Sequence, residues 1–239
     1  MPNWCSNEID IHPVDDSKEA KKQFAELLEL LEVSIEDGTI GGNILNKLVP
    51  MPESLRITSG TSTDYGMAVV LFTEHDDDSG LNKIKDYPWA KGMSSEDLCT
   101  YLVEKKSADI EKGRQAISNI KNYGYKSWYE WSIANWGTKW DTGDDIQVNN
   151  VSEDCLSLYF STAWSPPTRA FANSFNEKFD KLYIELEYTE PGCAFEGTFI
   201  MEHGEESDDQ REYDCSQDED NCLYCSSEDC KKRKQEYEG

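Results

Sequence analysis

Between residues 155 and 202 the hydrophobic pattern changes period in a fixed order, and that order restricts the fold more than any other feature of the chain. In "CLSLYFSTAW", Leu156, Leu158 and Phe160 alternate with Ser157 and Tyr159, the two-residue period of a strand with one buried face. "PPTRAFANSFNEKF" then opens on two prolines and repeats Phe171, Phe175 and Phe179 every four residues, which is helical spacing. "LYIELEYTE" returns to alternation, with Leu182, Ile184, Leu186 and Tyr188 set against Tyr183, Glu185 and Glu187. A "PGC" turn leads into "AFEGTFIME". Strand, helix, strand and hairpin strand therefore follow one another.

The start of the chain adds a similar pair. In "NWCSNEIDIH", Trp4, Ile9 and Ile11 suit a half-buried strand. Asp16 is the expected N-cap and Glu19 its capping-box partner, and Phe24, Leu27, Leu28 and Leu31 give a helix over 17–33. Together these elements predict an α+β sandwich, a largely antiparallel sheet with helices on one face. Between them, "ILNKLVPMPESL" reads as a short extended piece broken by Pro50 and Pro52. The apolar run Met67 to Phe72 reads as a strand buried on both faces. From Ser94, an expected N-cap, the chain is mostly helical, with Gly113 and "NYGY" as interruptions. It ends in "KSWYEWSIANW", stopped by Gly137. Aliphatic residues almost vanish beyond 203. The expected organisation is thus a domain over 1–202, with a helical insertion at about 94–134, and an acidic, cysteine-rich tail over 203–239.

Charge narrows the function classes. The chain has 48 acidic against 23 basic residues, a net charge of −25, and its basic cluster "KKRK" comes only at the end. That balance argues against binding a nucleic-acid backbone or an anionic membrane and favours solubility, a protein partner with a basic surface, or imitation of a nucleic acid. No run of about 18 apolar residues occurs and the N-terminus lacks signal-peptide character, so the expected location is the cytosol. The eight cysteines are then expected as thiols or metal ligands, with Cys5 and Cys155 as core thiols.

Three stretches combine aromatics with unusual turn chemistry: "MPNWCSN", "NWGTKWDTG" and "STAWSPP". On these residues (Met1 to Asn7, Trp136 to Trp140, Thr162 to Pro167), with Glu187 and the turn from Pro191 to Gly197, the sequence resembles the YubB ferredoxin-like family, the Api-like proteins of phages and plasmids. The resemblance spans the body and leaves out the tail. It implies a ferredoxin-like fold with an inserted helical segment, on a gene carried by mobile elements, and by analogy a role against host defences.

"WGTKW" has two readings. In one it is a helix end whose two Trp rings pack on the sheet under the Lys139 stem. In the other, Trp136, Thr138, Lys139, Trp140, Trp164 and Ser165 wall a site for a partner or a small nucleotide-like ligand, the rings stacking on a flat base and the lysine meeting phosphate or carboxylate. Support for catalysis is weak. His12, His75 and His203 are scattered, and no phosphate loop or catalytic motif is present. A metal-dependent hydrolase or transferase would need carboxylate pairs such as Asp141 with Asp144 or Glu187 with Glu190. In the tail, Cys215, Cys222, Cys225 and Cys230 are spaced C-x6-C-x2-C-x4-C, a set that could hold a structural zinc ion. The alternative is an acidic tail with free thiols.

Overall fold

The computed structural model describes residues 3–213. The chain divides into two compact units, one formed by the chain up to Pro50 together with the chain from Ile133 onward, the other by Met51–Ser132.

The first unit is built on a sheet. Its elements are β1 (Trp4–Pro13), α1 (Lys18–Leu31), α2 (Ile44–Leu48), β2 (Ile146–Val151), β3 (Leu156–Ala163), α8 (Thr168–Lys178), β4 (Leu182–Glu190), β5 (Phe195–Glu202) and β6 (Glu205–Glu212). Strand order is β2-β3-β1-β4-β5-β6, and every neighbouring pair is antiparallel. The first four strands, in the order 2-3-1-4 with α1 after β1 and α8 between β3 and β4, make the β-α-β-β-α-β arrangement of a ferredoxin-like domain. β5 and β6 extend it by a hairpin.

The two-residue period decides which face is covered. Cys5, Asn7, Ile9 and Ile11 of β1 are buried, as are Ile184, Leu186 and Tyr188 of β4, and Phe199 and Met201 of β5. Against this face lie Phe24, Leu27 and Leu31 of α1 and Phe171 and Phe175 of α8, all buried, with α1 contacting β1 and β4 and α8 contacting β5. Each such side chain contributes about 1.5–3 kcal/mol relative to exposure. α1 starts at Ser17, not Asp16: the Ser17 hydroxyl accepts from the Ala20 N–H. Asp15 instead accepts from the Ser17 N–H, so the polar run offered several candidate caps and backbone geometry selected the last.

Two expectations in this unit change. "ILNKL" is the helix α2, because residues 141–143 cap its start, as described below. The boundary expected near Glu202 is crossed by the sheet, since β6 pairs with β5 from Phe195↔Glu212 to Glu202↔Glu205. All eight β6 side chains are exposed. A strand held by its backbone ladder at a sheet edge needs no apolar face, and charge there discourages pairing with other chains.

The second unit is helical, with a 3₁₀ turn at Glu53–Leu55, then α3 (Thr61–His75), α4 (Ser79–Lys85), α5 (Ser95–Lys105), α6 (Ile110–Tyr123) and the start of α7 (Trp128–Trp136). It begins well before the insertion expected at 94. The apolar run Met67 to Phe72 is not a strand; it lies in α3, which contributes Ala68 and Val69 to a core completed by Leu81, Ile84, Ala90, Leu98, Cys99 and Leu102. A short, wholly apolar run carries no period, so strand and buried helix are indistinguishable in it. Ser94 does cap α5, accepting from the Asp97 N–H. Gly113, expected as a break, sits inside α6 because a side chain there has no room: a Cβ would fall 2.3 Å from the carbonyl carbon of Gly66 in α3.

Candidate functional site

The three stretches singled out in the sequence meet at one end of the sheet. β1 and β3 pair with Trp4 opposite Ala163, and the Trp164 N–H donates to the Asn3 carbonyl at 3.0 Å. The Asn7 side chain, fully buried, donates from Nδ2 to the carbonyls of Cys5 and Phe160 and to the Thr162 hydroxyl at 2.9 Å. Thr162 in turn donates to the Ser165 carbonyl at 2.8 Å. The turn after α7 closes on the same strand end: Thr138 Oγ1 donates to the Ala163 carbonyl at 2.9 Å and Ser165 Oγ to the Gly137 carbonyl at 2.6 Å. Gly137 has φ +87° and a Cβ on it would lie 3.0 Å from the Pro166 carbonyl, so the left-handed turn and the close approach both call for glycine.

These bonds separate scaffold from surface. Trp136 is 4% exposed and its indole donates to the Val49 carbonyl at 2.9 Å; it is core, not a wall. Thr138 and Ser165 direct their hydroxyls at backbone carbonyls. Trp140 and Trp164 are exposed, and so is Trp4, at 52%. The Trp4 and Trp140 rings lie 6.3 Å apart, tilted at 49°. Lys139 Nζ stands 4.6 Å from the Trp140 ring centre, a distance at which an ammonium is attracted by the indole face. Trp164 holds a φ of +75°, uncommon for a bulky residue and maintained only by over-determined surroundings, here the Asn3, Thr162 and Ser165 bonds. Of the residues expected to wall a site, Lys139, Trp140 and Trp164 present surface, whereas Trp136, Thr138 and Ser165 build the support.

Trp4 is the residue that sequence reasoning misplaced. The reading of a half-buried strand groups it with Ile9 and Ile11, yet an offset of five along a strand puts it on the opposite face. That parity was readable.

One carboxylate of each pair suggested as metal ligands has other work. Asp141 accepts from the backbone N–H of Leu45 at 3.0 Å and of Asn46 at 2.9 Å, while Thr142 Oγ1 accepts from Ile44 N–H. Together they cap α2, where an anion is favoured. Burial raises the Asp141 pKa, opposed by the amides that bond its charged form. Glu190, 1% exposed, accepts from Gly192 N–H at 3.0 Å and from Cys193 N–H. Beside it Cys5 is fully buried, and burial, reinforced by the Glu190 charge, pushes its thiol up to about 12. Cys155 is only partly buried: it precedes β3, where the chain leaves the core. Among the described residues no group of three or more His, Cys, Asp or Glu could hold a metal ion, and no helix is long and apolar enough to cross a membrane. Cys215, Cys222, Cys225 and Cys230 lie outside the described residues.

No match to this chain is found among the curated proteins. A solved structure, that of a protein api92 from Yersinia pseudotuberculosis, aligns over 90% of this chain and 99% of its own, at 13% identity and a TM-score of 0.37. Residues 135–225 match the family model described as "Ferredoxin-like domain in Api92-like protein", so the part of the chain that begins at this site is ferredoxin-like in sequence.

Proposed function

We propose that the chain is a non-enzymatic binding protein whose partner is a protein with a basic surface. The observation that carries this reading is the exposure of Trp4, Trp140 and Trp164 around one sheet end of a chain with net charge −25. Exposed aromatics supply anchors for an interface, and a surface field of one sign selects and steers a partner of the other. The resemblance to phage and plasmid proteins supports a setting in the bacterial cytosol, where the partner is a host protein and binding inhibits it as counter-defence. Pull-down from bacterial extract at two salt concentrations tests this, because surface attraction is screened over about 8 Å at physiological ionic strength. The expected partner is basic, is released at high salt, and is held less well by Trp140→Ala with Trp164→Ala. A partner indifferent to salt and to those changes would overturn the reading.

A second reading has its own support in the Lys139–Trp140 pair: a small nucleotide-like ligand stacked on Trp140 or Trp164 with phosphate on Lys139. It requires tryptophan fluorescence to respond to a panel of nucleotides, with thermal stability rising by mass action; a silent panel removes it. Separately, we propose structural zinc on Cys215, Cys222, Cys225 and Cys230. Metal content of the full chain should fall when Cys222 and Cys225 become Ser, and metal-free wild-type protein would end that proposal.

A further inference from the structure

The face of the sheet turned away from α1 and α8 carries like charges in register. Glu8 of β1 is directly opposite Glu187 of β4, and Asp10 is opposite Glu185. Directly paired residues share a face, and this one is the exposed side of β1, opposite to buried Ile9 and Ile11. Like charges placed directly across a ladder destabilise it. Among the described residues none of the four pairs with a lysine or arginine. Glu8 takes a neutral bond from Asn149 at 3.2 Å and Glu185 one from Tyr183 at 3.0 Å. Arg211, on the same face through the pairs Ser6↔Thr189, Thr189↔Glu196 and Glu196↔Arg211, is engaged by Glu196 at 2.8 Å. At the end of the same row on β1 stands Trp4, with Trp140 and its lysine beside it.

We infer that this outer sheet face, from the Trp4–Trp140 pair along β1 and β4, binds an extended segment of a partner protein that carries lysine or arginine at alternate positions. The inference rests on the proposed function and gives it a surface. Same-face residues recur about every 7 Å along a strand, so Glu8 and Asp10, and Glu185 and Glu187, are spaced to meet alternate side chains of an extended chain. The aromatic end adds the complementary chemistry, since a guanidinium stacks on indole, and Lys139 on Trp140 is already a cation held in that way. Phosphate-bearing polymers are excluded by the sign of the face.

The probe is a synthetic peptide alternating arginine and serine, titrated calorimetrically into the full chain. Binding should weaken by about tenfold or more when Glu8, Glu185 and Glu187 become Gln and Asp10 becomes Asn, because four contacts to an oppositely charged segment are lost. Removing the same charge elsewhere, by Glu19→Gln, Glu26→Gln, Glu29→Gln and Glu36→Gln, should weaken it less than about threefold, through the long-range field alone. The face variant should also melt no lower than wild type, because its opposed like charges are gone; this separates lost binding from lost fold. Equal weakening by both sets would overturn the face while leaving the acidic-protein reading intact. So would a wild type that ignores the peptide yet still captures a basic protein salt-sensitively. Tighter peptide binding after Lys231, Lys232, Arg233 and Lys234 become Gln would give the face to the chain's own basic run and overturn docking of a partner. If wild type neither binds the peptide nor captures a basic protein, the proposed function fails as well.

Discussion

The two units set their internal distances in opposite ways. In the sheet unit the separation between helices and strands is filled by large side chains, with Phe24, Phe160, Phe171, Phe175 and Tyr188 all but fully buried. In the helical unit the close approach of α3 to α6 is possible because nothing fills it: a Cβ on Gly66 would lie 1.9 Å from the Asp109 carbonyl oxygen, and one on Gly113 2.3 Å from Gly66. One unit is therefore damaged chiefly by removing volume, the other by adding it. Phe175→Ala should have the largest effect, a loss of about 3–5 kcal/mol read by denaturant unfolding, with hydrogen-exchange protection falling first in β4 and β5. A loss below about 1 kcal/mol would mean that the site collapses freely and that this core is not tightly packed.

Gly113→Ala tests the other half. Intrinsic propensity favours alanine over glycine by about 1 kcal/mol inside a helix; backbone overlap of the kind shown here costs about 1–3 kcal/mol. If the crossing controls the unit, the variant melts lower despite its better helix former. A higher melting temperature would show that α3 and α6 can separate at little cost, and the contrast between the units would dissolve.

That glycine also marks where the sequence stopped being readable. Elements with a clear period were legible: Phe24, Leu27, Leu28 and Leu31 give α1, Phe171, Phe175 and Phe179 give α8, and the alternations give β3 and β4. Met67 to Phe72 is not, because an unbroken apolar run fits a central strand or a buried helix equally, and the partners it packs against, Leu81 to Leu102 and the distant Gly113, are not local to it. α2 was missed for a similar reason, since its cap comes from Asp141 and Thr142, nearly a hundred residues later. At the candidate site the turn chemistry of three stretches identified the right neighbourhood. It could not sort the tryptophans, because Trp136 and Trp140 differ in exposure only through which carbonyl or ring they reach. The register of acids across β1 and β4 was likewise invisible, as pairing is not a local property.

The sheet unit also has a pH dependence of its own. Cys5 ordinarily titrates near 9 and is held at about 12 when folded, so the folded state binds that proton more tightly than the unfolded chain. The stabilisation is complete below pH 9 and declines as pH rises toward 12. At pH 10 roughly 1 kcal/mol of it is gone, one pKa unit's worth. Burial raises the Tyr188 phenol too, with a bond to Asp208 acting in the same sense, so the unit as a whole should weaken in alkali. Cys5→Ala removes one contribution: the fall in stability between pH 8 and pH 10 should be shallower than in wild type, whatever the absolute stabilities. An unchanged slope would mean that the thiol stays reachable by hydroxide and that this end of the sheet opens locally.

The smallest effect offers the finest comparison, because both units use the same cap. Ser17 accepts from Ala20 N–H at 3.2 Å to start α1, and Ser94 from Asp97 N–H at 3.0 Å to start α5. Replacing either serine by alanine should cost about 1 kcal/mol, yet the two losses need not appear in the same transition. α1 lies across the strands of a six-stranded sheet, whereas α5 belongs to a unit held by a smaller aliphatic core and a glycine crossing. If the units unfold separately, Ser94→Ala lowers only the earlier transition and Ser17→Ala only the later one. Equal shifts of one shared transition would show that the units melt as one cooperative structure, and that the different ways they are packed do not make them independent.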